Sequence, residues 1–343
     1  MTQPEPNPVV DVHAHVVPAQ LVDKVHARQD ELPNVHAHWD DGRLHLGLPR
    51  PGGLGNPRPV RPGLLDVEGA ASRMGEQGID LSLISIWPDL LGLTLAPAES
   101  AVWARCVNEA LLEVTRDEPR FEGLAAVPVQ SPDPAGDLAK VIEDGFVGIE
   151  IGTAAYGEEL DSPKLVEFWE AAHELGVTIF MHPMFMGGDQ RLQDGLAYGL
   201  ANSIGRVNDT TVAVARLLLA GIPERFENAR IVVAHGGGTI PYLVGRLQNV
   251  HDIHPEETAD PVASFKRLAF DSLVFSESTL RYLVEVAGPS NVLLGSDHPF
   301  DNGDPNVRRL IETAIEDEET RERILRGNAE ALFDLARRRS SKQ

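Results

Sequence analysis

The chain has 343 residues, 42% of them hydrophobic and 24% charged, with a formal net charge of −22. That acidity repels phosphate backbones and anionic lipid, so nucleic acid and membrane surfaces are excluded as expected partners, and no apolar run is long enough to span a bilayer. A single cysteine, Cys106, excludes an intrachain disulfide and cysteine metal clusters, and the opening MTQPEPNPVV lacks a basic, apolar leader pattern, so a cytoplasmic location is expected.

Short apolar runs alternate with longer amphipathic ones along the chain. Strands are predicted at Val9–His13, Leu81–Ile86, Leu124–Val127, Val147–Ile151, Val177–Met181, Ile231–Ala234, Leu268–Phe270 and Val292–Gly295. Most are continuously apolar, as parallel strands covered on both faces must be. Helical periodicity fills the gaps at Ala101–Arg116, Asp133–Glu143, Ser162–Leu175, Asp209–Ala220, Ile240–Val250 and Thr279–Val286. Eight alternations predict an α/β fold, a (β/α)8 TIM barrel, with a doubly wound open sheet as the alternative. One domain over 1–343 is expected. A small lobe is inserted after the first strand at about 20–65, rich in Gly, Pro and His, and a terminal helix covers Glu318–Arg339. A long insertion on the catalytic face reads as a lid or substrate-binding element.

The first strand ends in Asp11-Val12-His13-Ala14-His15. Residues two apart share a face, so His13 and His15 aim together. The same spacing recurs at His36-Ala37-His38, but no predicted strand precedes that pair, and it reads as solvated loop. Three later strands also end in ligand-type residues: His182 after Val177–Met181, His235 after Ile231–Ala234, and Asp297 after Val292–Gly295. A barrel gathers those ends around one axis, so the spacing predicts one shared metal site. Imidazoles with a carboxylate suit a divalent ion, zinc first, with manganese or iron as other occupants. The fourth strand, Gly148-Ile149-Glu150-Ile151-Gly152, has no lysine to bridge two ions; Glu150 among apolar neighbours reads as structural, and one metal is expected. Five ligand-type residues exceed what one catalytic ion needs. His235 is assigned as the acid/base, because Gly236-Gly237-Gly238 would let backbone approach a substrate closely; the alternative is a fourth imidazole ligand.

The motifs DVHAHVVP, MHP, AHGGG and GSDHPF, with HGGGTIPYLVGR and GNAEALF, resemble the decarboxylase branch of the amidohydrolase superfamily, of the 2-amino-3-carboxymuconate-6-semialdehyde decarboxylase type. The resemblance runs from Asp11 to about Leu335. It implies a distorted barrel, zinc on His13, His15, His182 and Asp297, and His235 as acid/base. Arg58-Pro59-Val60-Arg61-Pro62 matches that family's RPxRP stretch, which implies that Arg58 and Arg61 grip substrate carboxylates. Arg246, eleven residues after His235, matches an arginine that the family sends into the neighbouring subunit's site, which implies a homodimer. Departures fall on the pocket. Met184-Phe185-Met186 replaces a tryptophan-led segment, His298 replaces a tyrosine, and the Trp87 loop differs. Trp87, Phe185, His298 and Phe300 are expected to touch the substrate.

The expected activity is metal-dependent, non-oxidative decarboxylation of a small unsaturated or aromatic carboxylic acid. The alternative on the same scaffold is hydrolysis of a lactone or cyclic amide, or hydration.

Overall fold

The computed structural model describes residues 8–49, 57–184 and 198–336. Eight strands pair side by side in chain order: β1 (Val10–Val16), β2 (Leu81–Ile86), β3 (Phe121–Ala126), β4 (Gly148–Ile151), β5 (Thr178–Met181), β6 (Arg230–Val233), β7 (Ala269–Asp271) and β8 (Val292–Leu293). Every pairing between neighbours is parallel. The ring closes where the chain after β8 returns to β1: Val12 N donates to Leu294 O, His15 N to His298 O, and Asp297 N to His13 O, at 2.7–2.9 Å. This is the (β/α)8 barrel that the alternation predicts, and all eight predicted strands are present.

The continuous apolar runs have a physical reason. One buried cluster takes at least one residue from, or next to, each strand, including Val10, Leu83, Leu124, Phe180, Val232 and Leu293. Its members come from the strands and the terminal segment and from none of the helices between the strands, so it fills the barrel. Ala329 and Phe333 of the terminal helical segment join it and plug one end. The other face of each strand packs against the surrounding helices through a larger cluster containing Trp103, Phe168, Trp169 and Leu217. Parallel strands buried on both sides leave no position for the polar half of an alternating pattern.

Two expectations need correction. The inserted lobe is more ordered than its composition suggests: it holds a helix, Leu21–His26, and a three-stranded antiparallel sheet of His36–Asp40, Arg43–Gly47 and Arg58–Pro59. His36 and His38 therefore lie on a strand, with Ala37 buried between two exposed imidazoles. The signal was the two-residue turn Asp41-Gly42, whose φ values of 45° and 71° are those of a hairpin turn that Asp-Gly favours. His38 stacks on His45 across the pair instead of standing free in solvent. The terminal helix is also not uniform. It runs as Glu318–Glu322, a wider π turn at Arg323–Gly327, and Asn328–Leu332, and its expected end beyond 336 falls outside the described residues.

Candidate metal centre and catalytic cavity

His13 and His15 leave β1 on the same side, in a stretch where the register with β2 shifts between Asp11 and Ala14. Their Nε2 atoms meet at 3.1 Å, with the ring planes crossing at 88°. Each ring is aimed by its other nitrogen. His13 Nδ1 donates to Asp271 Oδ2 at 2.7 Å, and His15 Nδ1 meets Ser85 Oγ at 3.0 Å. His182 follows β5, and its Nδ1 donates to Pro183 O at 2.8 Å, which turns Nε2 inward. Asp297 follows β8, with Oδ1 3.2 Å from Nε2 of both His13 and His15. One donor atom from each of the four residues lies within 4.8 Å of every other. His235 stands beside them, its Nε2 3.6 Å from Asp297 Oδ2 and its ring 4.9 Å from that of His182.

Two residues hold unusual backbone here. His235 and Asp297 have φ of 56° and 57°, the left-handed region that costs a non-glycine residue about 1 kcal/mol or more. Hydrogen bonds hold the neighbouring backbone. Gly236 N donates to Asp271 Oδ1 at 2.8 Å, and Asp11 Oδ1 accepts from the backbone of Ser296 and His13, both at 3.0 Å. Asp271 thus orients a ring from β1 and the loop after β6 together. The glycine run also meets a packing constraint. A Cβ on Gly236 would lie 2.6 Å from Val274, one on Gly237 2.6 Å from Phe270, and one on Gly238 2.8 Å from Thr211 and Val207. These glycines let the protein close on itself.

The electrostatics favour a cation. Burial pushes His15 down to about 4, and burial with three neighbouring imidazoles holds His182 well below its ordinary range, so both are neutral and able to act as ligands. Against its own burial, His13 is raised to about 10 by Asp297 and Asp271. Asp297 and Asp271 are lowered despite burial, chiefly through His13. Two carboxylates thus flank His13, Asp271 at 2.7 Å and Asp297 at 3.2 Å. Among the described residues His182 Nε2 is buried with no hydrogen-bond partner, which costs about 1–3 kcal/mol when nothing compensates. Ligand bonds of about 2.1 Å set neighbouring donors about 3.0 Å apart at right angles and about 3.4 Å apart at the tetrahedral angle. The 3.1–3.2 Å spacings observed here fall between those limits. The donor set, its charge and its spacing fit a divalent metal ion, and the cluster is a His/Asp metal site.

A cavity of about 350 Å³ opens onto it. His182, His235 and Asp297 form its metal-side lining, and Arg58, Arg61, Trp87 and Phe300 line it as well. The inserted lobe thus reaches the site through both expected arginines. Other expected contacts are not brought together here. His298 does not line the cavity: its Nε2 accepts from Arg73 Nη2 at 3.1 Å, and burial, then Arg73, lower it to about 4. The Arg73 guanidinium from the helix Val67–Gln77 holds the ring there. Arg246 is exposed on the helix Ile240–Ile253, away from the cavity lining. Phe185 lies outside the described residues.

Sequence reasoning missed three residues of this region. Asp271 ends β7 and would have been found by the strand-end rule that found the ligands. Asp11 heads the DVHAH motif itself, and burial raises it to about 6. Arg206 also lines the cavity and no local pattern marks it, whereas Asp89 lies in the Trp87 loop that was expected at the pocket and lines it too. Glu150, read as structural, is buried behind His15 at 4.0 Å, and burial pushes it up to about 8.

A family profile described as amidohydrolase matches residues 10–335. The chain belongs to the amidohydrolase family. Among its relatives, a 2-amino-3-carboxymuconate-6-semialdehyde decarboxylase of Dictyostelium discoideum is 31% identical over 271 residues, covering 76% of this chain and 75% of that one. A gamma-resorcylate decarboxylase of Polaromonas sp. is 28% identical over 81% of this chain and 90% of its own. Among solved structures, a dihydroxybenzoic acid decarboxylase of Polaromonas sp. JS666, holding manganese and the inhibitor 2-nitroresorcinol, superposes with a TM-score of 0.76 at 24% identity, over 96% of this chain and 98% of that one. Among the described residues, no helix is long and apolar enough to cross a membrane.

Proposed function

We propose that this amidohydrolase-family protein is a metal-dependent, non-oxidative carboxy-lyase acting on a small unsaturated or aromatic carboxylic acid. The observation that carries the proposal is the convergence of four strand-end ligands and His235 on one arginine-lined cavity. The decarboxylase relatives support it, and the hydrolase alternative is not needed to account for the site. His13, His15, His182 and Asp297 are the proposed ligands, and zinc is the proposed ion because three of the four donors are imidazole nitrogens. The ion, when bound, polarises a substrate oxygen and stabilises negative charge next to the reacting carbon.

The chain's own residues do the rest. Arg58 and Arg61 orient the acid, while Trp87 and Phe300 give its unsaturated frame an apolar wall. Asp271 and Ser85 keep the rings of His13 and His15 in register. His235, with its side chain 15% exposed toward the cavity, carries a proton at Nε2. The bond from carbon to carboxylate breaks, carbon dioxide leaves, and the electron pair left on carbon takes that proton. Phe185 is proposed as a further pocket residue on the family resemblance alone, and His298 as one that acts at most through Arg73.

We also propose a cytoplasmic homodimer in which Arg246 reaches the neighbouring site. Tyr242, Arg246, Val250 and Ile253 are all exposed on one helix, which supports a covered face with a cation in it. Arg246→Ala should then cut turnover while leaving thermal unfolding unchanged; unchanged kinetics would remove the cross-subunit role.

The test of the activity is carbon dioxide release from a panel of hydroxybenzoates, carboxylated muconate semialdehydes and pyrimidine carboxylates, with metal content measured beside it. Release by wild type and not by His235→Ala supports the reading. Hydrolysis of a lactone or amide without release from any acid would overturn it.

A further inference from the structure

The second His-x-His pair, His36-Ala37-His38, takes no part in the metal centre or the cavity lining. It lies on the strand His36–Asp40, where Ala37 is buried and both imidazoles are exposed. Alternation puts His36, His38 and Asp40 on the outer face of the lobe's sheet. The antiparallel register brings Gly47, His45 and Arg43 opposite them. His38 and His45 are thus directly opposed, with ring centroids 5.3 Å apart and planes within 11° of parallel. His36 is diagonal to His45, a separation that long side chains can span. Gly47, opposite His36, puts no side chain in the space beside it. Three of the chain's twelve histidines therefore share one face of a single hairpin.

These rings are prepared to act as ligands. His45 Nδ1 donates to Arg43 O at 3.2 Å; a carbonyl only accepts, so the proton sits on Nδ1 and Nε2 keeps its lone pair. Among the described residues, no hydrogen bond or ion pair engages His36 or His38. The strand beneath them is held, because His26 Nε2 donates to Ala37 O at 2.8 Å. Parallel rings on a fixed ladder present nitrogens side by side. Exposed side chains reorient within nanoseconds, so the rings can tilt onto a shared ion without backbone movement. At the next position Asp40 opposes Arg43, so that pair adds no net charge against a cation, and the chain's net charge of −22 draws cations in. We infer that His38 and His45, with His36 beside them, form a second metal site, for a transition-metal ion on the outer face of the lobe. Imidazole ligands with water completing the shell suit copper(II), which binds such nitrogens more tightly than nickel(II) or zinc(II). The site at the barrel mouth differs in being buried and in including a carboxylate. An ion on the lobe joins two strands of a sheet whose third strand, Arg58–Pro59, pairs with Leu46 and His45 and lines the cavity. Its occupancy therefore stiffens one wall of that cavity.

Titration of the metal-loaded protein with copper(II) chloride, against glycine as a competing chelator, tests this. Electron paramagnetic resonance reads the ligands, and the resident ion is assayed alongside. One copper per chain should bind with splitting from two or three nitrogens while the resident ion stays in place. Splitting from one nitrogen or none overturns the site, as does copper uptake matched by loss of the resident ion; both readings need only the wild type. His38→Phe and His45→Phe keep a stacked ring and remove its nitrogens. Loss of an outer partner of a ligand already costs 10- to 100-fold in metal affinity, and loss of a ligand costs no less. Each variant should therefore weaken copper binding by about 10-fold or more, whereas His254→Ala, at an exposed histidine elsewhere, should leave it unchanged. Affinity within about threefold of wild type in His38→Phe would show that the pair only stacks. Copper should also slow amide hydrogen exchange in the strands His36–Asp40 and Arg43–Gly47; unchanged exchange at saturation overturns the stiffening of the cavity wall.

Discussion

Replacing Asp271 by Asn changes one atom's chemistry and leaves the shape alone, yet it should disarm a metal ligand that it never touches through the metal. Asp271 Oδ1 accepts from Gly236 N at 2.8 Å and from Leu273 N at 3.2 Å, and both of those groups can only donate. The asparagine oxygen must stay there, so its amide NH2 takes the place of Oδ2, 2.7 Å from His13 Nδ1. His13 Nδ1 then has to accept, and the ring proton is forced onto Nε2, the atom that points at the other donors. The ion must displace that proton against the preferred tautomer and without the carboxylate that raised the ring's basicity. Loss of an outer partner of a ligating histidine costs 10- to 100-fold in affinity or activity; the wrong tautomer places this case near 100-fold, about 2.7 kcal/mol. The assay is a competitive chelator titration of wild type and Asp271→Asn, with thermal unfolding as the control for folding. An affinity within threefold of wild type, in a folded variant, would refute the tautomer argument.

Three other outcomes follow from the same geometry. His182→Ala removes one of four converging donors, and purified protein should lose most of its metal from a wild-type content of about one ion per chain; near-full retention would break the ligand set. His235→Ala should keep that metal content while lowering kcat by about 10²- to 10⁴-fold, the worth of a positioned acid/base; metal loss in step with activity would make His235 a ligand instead. Gly236→Ala puts a Cβ at φ 61° and 2.6 Å from Val274, and should cost about 2 kcal/mol of stability or more in denaturant unfolding; an unchanged midpoint would mean that Val274 moves aside freely.

The local half of this protein could be read from sequence because its rules are short-ranged. Side chains two apart on a strand share a face, which made His13 and His15 a pair. An apolar run that stops at a polar residue marks the mouth of a barrel, which found His182, His235 and Asp297. The Asp41-Gly42 hairpin was equally local, and it was hidden only by the Gly and Pro around it. Tertiary structure decided whatever depends on which side chains meet after long chain excursions. His13 meets Asp271 across 258 residues, and Arg206 meets Asp89 across 117. His298 turned to Arg73, 225 residues away, although its neighbour Asp297 went to the metal centre. No periodicity encodes such encounters: they arise because closing the barrel brings all eight strand ends to one place, and the charges that arrive there then choose their partners.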